Sequence, residues 1–306
     1  MSNRLACALL ACGLGRAALA DDPAAALVRA QVEARLSRIA LDGPGVVAVA
    51  AVDLTSGERF GLNDELVSAQ GSAIKIPILM EVFKQAHQGA LRLEDRITIE
   101  RAGTVAGSGV LQHFQDGGSA LSLHDLCVLM IVLSDNSATN LLIDRVGTEN
   151  VNRTLAALGL EHTRLRRKMM DSAASARGDE NTSSPAEAIR ILQLLHGGRF
   201  VSAEISKQIL AILSLPKDGD LRHGVPAEIP MAFKSGSVPG VATEWVIVSH
   251  PERPYAVVVM QSRVPPAAGD ASARVFRELS ELFYAYFAGR ERFTPFGVST
   301  DPTPWN

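Results

Sequence analysis

The stretch "SAIKIPILM", residues 72 to 80, places a serine and a lysine three positions apart at the head of an apolar run. Lysine is costly to bury, so its presence at this point calls for a reason. The plainest one is a helix-capping serine with a snorkelling lysine. The spacing alone does not decide, because Ser214 and Lys217 in "SLPK" repeat it. Pro216 inside that second copy argues against an orderly turn there. The surroundings of each copy have to discriminate.

Upstream of Ser72, residues 23–40 carry apolar residues at helical spacing, with Pro23 near the start. "GVVAVAAVDL" (45–54) reads as a strand, "TSGE" as a turn and "RFGLN" as the return strand. Downstream lies a helical middle. "SLHDLCVLMIVL" (122–133) opens on a capping Ser122, and helices follow near 137–146 and 148–158. "SPAEAIRILQLL" (184–195) has Ser184 as cap, Pro185 at the first position and Glu187 set to close a capping box. "SAEISKQILAIL" (202–213) repeats the pattern. Three short strands follow at 231–237, 243–249 and 255–262. A last helix then aligns Val275, Leu279, Leu282, Phe283 and Tyr286 on one face. Two strand groups far apart in the chain can join in one antiparallel sheet, with the terminal helices over one face. The middle then becomes an inserted helical lobe, and the cleft between lobes is a natural ligand site.

With 306 residues, 47% of them hydrophobic, the chain can build a large core. A net charge of −3 gives no sign of nucleic-acid or polybasic membrane binding. The seven histidines are scattered, so neither a zinc site nor another metal is expected. Residues 1–20 read as an export signal: Arg4, then the apolar "LACALLACGLG" (5–15), then "ALA" (18–20) before Asp21. "LLAC" ending at Cys12 is the weaker, lipoprotein alternative. The mature chain keeps only Cys127, which reads as a small buried hydrophobe. One catalytic unit is expected over 21–306. Its sheet lobe spans about 21–65 and 215–290, its helical lobe about 66–214, and 291–306 form an irregular tail.

Two further short motifs fall where the cleft should lie. "SDN" (134–136) sits at a break between helices, where capping alone would explain it. "KSG" (234–236) ends a strand, where a solvated turn would explain it. The ordered set Ser-x-x-Lys, Ser-Asp-Asn, Lys-Ser-Gly is far more specific than any one member. On these motifs, and on "SDNSATNLLIDRVG" (134–147), "TSSP" (182–185) and "RHGVP" (222–226), the chain resembles the penicilloyl-serine transferase superfamily. Within it the resemblance is greatest to class A β-lactamases, from about residue 25 to 287. It implies an α/β (α+β) fold with a five-stranded antiparallel sheet, an all-helical lobe and the active site between them.

The resemblance also implies roles. Ser72 is the nucleophile, and a serine hydroxyl needs a partner to take its proton. Lys75 is that base, its pKa lowered by desolvation and by Lys234. Ser134 passes a proton to the leaving nitrogen. Asn136 holds Lys75 and the substrate amide, and Ser235 binds the substrate carboxylate with Lys234. Gly236 admits substrate backbone to the strand edge. The N–H groups of Ser72 and Ser237 form the oxyanion hole. No cofactor is implied; the ligand is a β-lactam or a cell-wall peptide, and a monomer is expected.

The chain departs from the family in the loop "RLRRKMMDSAASARGDEN" (164–181). Class A enzymes carry there a glutamate and an asparagine that position the deacylating water. Counting from either side puts Lys168 or Met169 in the glutamate's place, and Ser172 is nearest to the asparagine's. Asp171 is the only carboxylate expected near the gap, with either a deacylation role or a mere capping one. "SVPGVATEW" (237–245) also lacks the arginine that relatives often place there. Acylation is thus expected intact and deacylation altered. The leading expectation is a β-lactamase-like serine hydrolase. The alternatives are a D-alanyl-D-alanine carboxypeptidase, a non-enzymatic penicillin-binding sensor and a catalytically dead binding module.

Overall fold

The structure, a computed structural model, describes residues 23–289 and residue 298. The expected export signal and all but one residue of the expected tail lie outside the described residues. The chain opens with helix α1 (Pro23–Asp42), strands β1 (Val46–Asp53), β2 (Arg59–Leu62) and β3 (Ser68–Ala69), and helix α2 (Lys75–His87). Strands β4 (Arg96–Thr98) and β5 (Ala120–Ser122) follow. Helices α3 (Leu123–Val132), α4 (Asn136–Val146), α5 (Thr148–Ala157) and the short α6 (Ser172–Ala176) come next. After β6 (Thr182–Ser183) come α7 (Pro185–His196) and α8 (Ala203–Leu213). The chain then forms β7 (Met231–Val238), β8 (Val241–Val248), β9 (Tyr255–Ser262) and α9 (Asp270–Gly289).

β1 is buried from Val47 to Asp53 because both of its faces are covered. That is why it reads as a continuous apolar run rather than as an alternating one. It lies second in a five-stranded antiparallel sheet of order β2-β1-β9-β8-β7. One face packs Val47, Val49, Val257 and Val259 against Leu36 of α1 and Phe276, Phe283 and Phe287 of α9. The other packs Ala48, Ala50 and Val258 against the helical lobe, including Ile76 and Leu79 of α2 and Ile189 of α7. The first strand pair and the last three strands thus form one sheet, with the terminal helices on one face.

α2 is the central helix of the second core. Every residue from Lys75 to Phe83 is buried. Pro77 is tolerated because it falls in the first turn, where N–H groups lack intrahelical partners anyway. β7 is an edge strand, and its outer side packs on the turn that leads into α2. That packing brings the end of the sheet to the mouth of the helical lobe.

Candidate active site

Ser72 lies not on α2 itself but in a 3₁₀ turn, Gly71–Ile74, just before it. Side chains three apart eclipse in such a turn, so Ser72 and Lys75 share a side. The capping expectation fails here: the cap positions, Gln70 and Ile74, make no side-chain cap bond. Ser72 is half-buried and lines the cleft. The competing pair is unlike it. Ser214 is exposed, and Lys217 donates to the carbonyls of Leu213 and Leu215 while lying over the Phe233 ring.

Lys75 is 0% exposed. Its nitrogen donates to the carbonyl oxygen of Ser134 at 2.7 Å, to the hydroxyl of Ser134 at 3.0 Å and to Oδ1 of Asn136 at 3.1 Å. Burial pushes its pKa well below that of a free lysine; Lys234 adds to the effect and Asp135 opposes it. Burial therefore favours the neutral amine, a form able to accept a proton, and places it directly behind Ser134 and Asn136 of the cleft wall.

Ser134 adopts a left-handed backbone (φ 52°) at the break between α3 and α4, which turns both of its oxygens toward Lys75. Asp135, buried beside it, caps α4 through the N–H of Ala138 and accepts the N–H groups of Val110 and Leu111 with its other oxygen. The capping reading of this motif and the functional one are both realised: Asp135 caps while its neighbours face the cleft. Asn136 is held by its own N–H to the carbonyl of Ser108 and by Nδ2 to that of Ala106.

Across the cleft, Lys234 is 2% exposed and donates to the carbonyl of Ser235 at 2.7 Å. Burial lowers its pKa to about 8, with Glu244 pulling the other way. Ser235, Gly236 and Ser237 line the cleft beside Ser72. Gly236 has a packing reason that sequence reasoning assigned to substrate access instead. A Cβ there would stand 2.5 Å from the carbonyl oxygen of Gln70 and 2.6 Å from the nitrogen of Ser72. Gly71 mirrors it: its φ is +49°, and a Cβ would lie 2.6 Å from the nitrogen of Ser237. Two glycines let the strand and the turn touch backbone to backbone, with the nitrogens of Ser72 and Ser237 both at that contact.

The loop 164–181 forms the opposite wall. Asn140 of α4 clamps Met169 by both main-chain groups: Nδ2 donates to its carbonyl at 3.1 Å, and Oδ1 accepts its N–H at 2.8 Å. Met169 is 7% exposed and lines the cleft, whereas Lys168 points out to Asp144. Met169 thus stands where the loop meets the cleft. Asp171 lines the cleft as well, but its carboxylate caps α6 through the N–H of Ala174, and Ser172 begins that helix. A second carboxylate, Glu180, also lines this wall, which corrects the expectation that Asp171 stands alone. Arg167 binds Glu180 through Nε at 3.0 Å and Nη2 at 2.8 Å, and the Ser175 hydroxyl also donates to it. Glu180 is thirteen residues from Arg167 in sequence, and no local pattern signals their pairing.

The cleft so formed has a volume of about 740 Å³, suited to a small molecule. It unites Ser72, Ser134, Asn136, Ser235, Gly236 and Ser237 on its surface, with Lys75 and Lys234 buried at its floor. Among the described residues, no group of three or more His, Cys, Asp or Glu could hold a metal ion.

Residues 31–287 match the β-lactamase enzyme family model. The curated β-lactamase SME-1 of Serratia marcescens is 25% identical over 236 residues, which are 76% of this chain and 77% of that protein. An ancestral class A β-lactamase superimposes with a TM-score of 0.78 at 28% identity, covering 84% of this chain and 100% of its own. PBP-A, solved as a Leu-to-Glu mutant in an acyl-enzyme complex with penicillin G, gives 0.76 at 25% identity over 86% of this chain and 97% of its own. By family match, fold and shared architecture, the chain belongs to the β-lactamase enzyme family, within class A.

Proposed function

We propose that this serine hydrolase opens β-lactams through an acyl-enzyme on Ser72 and releases the product slowly. The observation that carries the reading is Lys75, a buried amine with a depressed pKa held against Ser134 and Asn136 at the cleft floor. In the neutral state Lys75 takes the Ser72 hydroxyl proton as Oγ attacks the lactam carbonyl. The N–H groups of Ser72 and Ser237 receive the developing oxyanion. The proton then travels from Lys75 through the Ser134 hydroxyl to the ring nitrogen as the C–N bond breaks. Lys234 and Ser235 hold the ligand carboxylate.

Slow release is supported by Met169, which presents a thioether where a water-activating carboxylate would be needed, and by the engagement of Asp171 and Glu180 elsewhere. The same observation favours a second reading, a carboxypeptidase acting on acyl-D-Ala-D-Ala peptides through the same acylation. The proposed setting is the periplasm or the exterior, after removal of residues 1–20. Amino-terminal sequencing of the exported protein should begin at Asp21.

Time-resolved intact mass spectrometry with penicillin G tests the function. The expected result is rapid addition of one penicilloyl mass on the peptide bearing Ser72, followed by slow recovery. Absence of any adduct, or an adduct on a peptide lacking Ser72, overturns the reading. A stem peptide ending in D-Ala-D-Ala, turned over faster than penicillin, would favour the carboxypeptidase.

A further inference from the structure

Glu244 lies on β8 directly opposite Ser235 of β7. Residues paired across adjacent strands share a face, so its carboxylate lies on the Ser235 side of the sheet. It is 4% exposed and lines the cleft. Its two oxygens accept the N–H groups of Asp220 at 2.7 Å and Leu221 at 2.9 Å. Gly219 backs it closely: a Cβ there would stand 3.0 Å from Oε1 of Glu244. The carboxylate is therefore held in place, next to the pair that would take a ligand carboxylate.

This setting is electrostatically contrary to binding an anion. Like charges several ångströms apart in a partly desolvated site are worth about tenfold or more in affinity. We propose that Glu244 is a specificity-determining residue of the cleft: its fixed, buried carboxylate beside Ser235 and Lys234 weakens the preference for ligands that bear a carboxylate at that end and favours those in which the group is neutral, an ester or an amide. The inference rests on acylation of Ser72 as proposed above.

Burial raises the pKa of Glu244 to about 7, although its two backbone donors and Lys234 pull it down. The discrimination consequently varies with pH in the neutral range. The charged groups around Glu244 are Lys234 on β7, Asp220 at the start of the turn that it holds, and Asp218 and Lys217 in the preceding segment. Lys217 is itself lowered to about 7 by burial and by Lys234, and burial lowers Lys234 to about 8, so both lysines are competing sources of a neutral-range transition.

The test compares acylation rates of the full chain by penicillin G and by its methyl ester, followed by intact mass from pH 6 to 8. The acid-to-ester rate ratio cancels the shared base chemistry of Lys75. In the wild type this ratio should rise as pH falls through about 7. In Glu244→Gln it should be about tenfold higher at pH 8 and lose that rise. A variant that slows both ligands alike, with the ratio unchanged, would mark Glu244 as merely structural and overturn the proposal. So would a rise near pH 7 that persists undiminished in Glu244→Gln, which would assign it to Lys217 or Lys234. Should the glutamine disturb the turn at Asp220, the wild-type profile remains a test, because a flat ratio across the range overturns the proposal. If neither ligand adds mass to Ser72, it is the acylation reading that fails; acylation with an unaltered ratio sinks only the role of Glu244.

Discussion

The side-chain nitrogen of Lys75 lies 2.7 Å from the carbonyl oxygen of Ser134 and 3.0 Å from its hydroxyl. A carbonyl can only accept, so it uses an N–H of the amine. A hydroxyl can accept or donate, so it can return a proton that the amine has collected. One lysine, three residues after the nucleophile, is thereby held against a hydroxyl able to relay a proton. The left-handed backbone of Ser134 makes this double contact possible, at a strain that the buried cap of Asp135 helps to hold.

Lys75→Ala should slow penicillin acylation by about 10²- to 10⁴-fold, the usual worth of a positioned base. Stopped-flow acylation, alongside circular dichroism to verify folding, measures it. Acylation within a few-fold of wild type would remove Lys75 from the role of base.

Gly236→Ala should separate β7 from the Ser72 turn. The new methyl carbon meets backbone atoms of Gln70, Ser72 and Ala73 at 2.5–2.7 Å, and backbone cannot swing aside as a side-chain end can. Overpacking of this kind costs about 1–3 kcal/mol. A shift of the oxyanion donors by about 1 Å should lower acylation by roughly 10²-fold. Thermal melting and acylation rates together check it, and a variant with normal values for both would show that the contact is soft.

Much of this was legible in the chain. β1, β8 and β9 announce themselves by valine-rich runs, α9 by its apolar stripe, and Ser122, Ser184 and Ser202 cap the helices expected of them. The capping box at Ser184 is only half formed. Ser184 accepts the N–H of Glu187 at 3.3 Å, but the Glu187 carboxylate turns to the N–H groups of Glu161, His162 and Thr163 instead. Those donors come from a distant loop, and no local rule could foresee that tertiary competition. The same holds for the 3₁₀ turn at Ser72, whose shape depends on β7 packing against it. Glu244 and Glu180 escaped attention for this reason too: each acquires its meaning from strands or loop segments brought alongside by the fold.

Lys234 should trade stability for function in a pH-dependent way. Its pKa is about 8 in the folded protein against 10.5 for a free lysine. Between those values the unfolded chain binds a proton that the folded one does not, so stability rises with pH across the interval. Below pH 8 the full penalty applies, ~3 kcal/mol before offsetting contacts are counted. Lys234→Met should therefore stabilise the protein near pH 7, and the advantage should shrink toward pH 10, while binding of anionic β-lactams is lost. Urea melts of both proteins at several pH values measure the difference. A variant less stable at pH 7, or an advantage that grows with pH, would contradict the assignment.

Wild-type penicillin hydrolysis should show a burst of one equivalent followed by a slow steady state. Asp171 is occupied as a helix cap and Glu180 by Arg167, so Asp171→Asn and Glu180→Gln should leave the steady-state rate within about threefold, near the scale of a lost cap or surface pair rather than of a lost base. Met169 is the better target, since Asn140 fixes its backbone from both sides and its side chain already lines the cleft. Met169→Glu, alone or with Ser172→Asn, should speed deacylation by about 10²-fold or more, with acylation little changed. Lys168→Glu should not, because residue 168 points toward Asp144 and away from the cleft. A wild type that hydrolyses penicillin rapidly without a burst would mean that a base is already in place. Loss of that activity in Asp171→Asn or in Glu180→Gln would then name it. Retention of it in both would leave Lys75, regenerated after acylation, as the group that activates water.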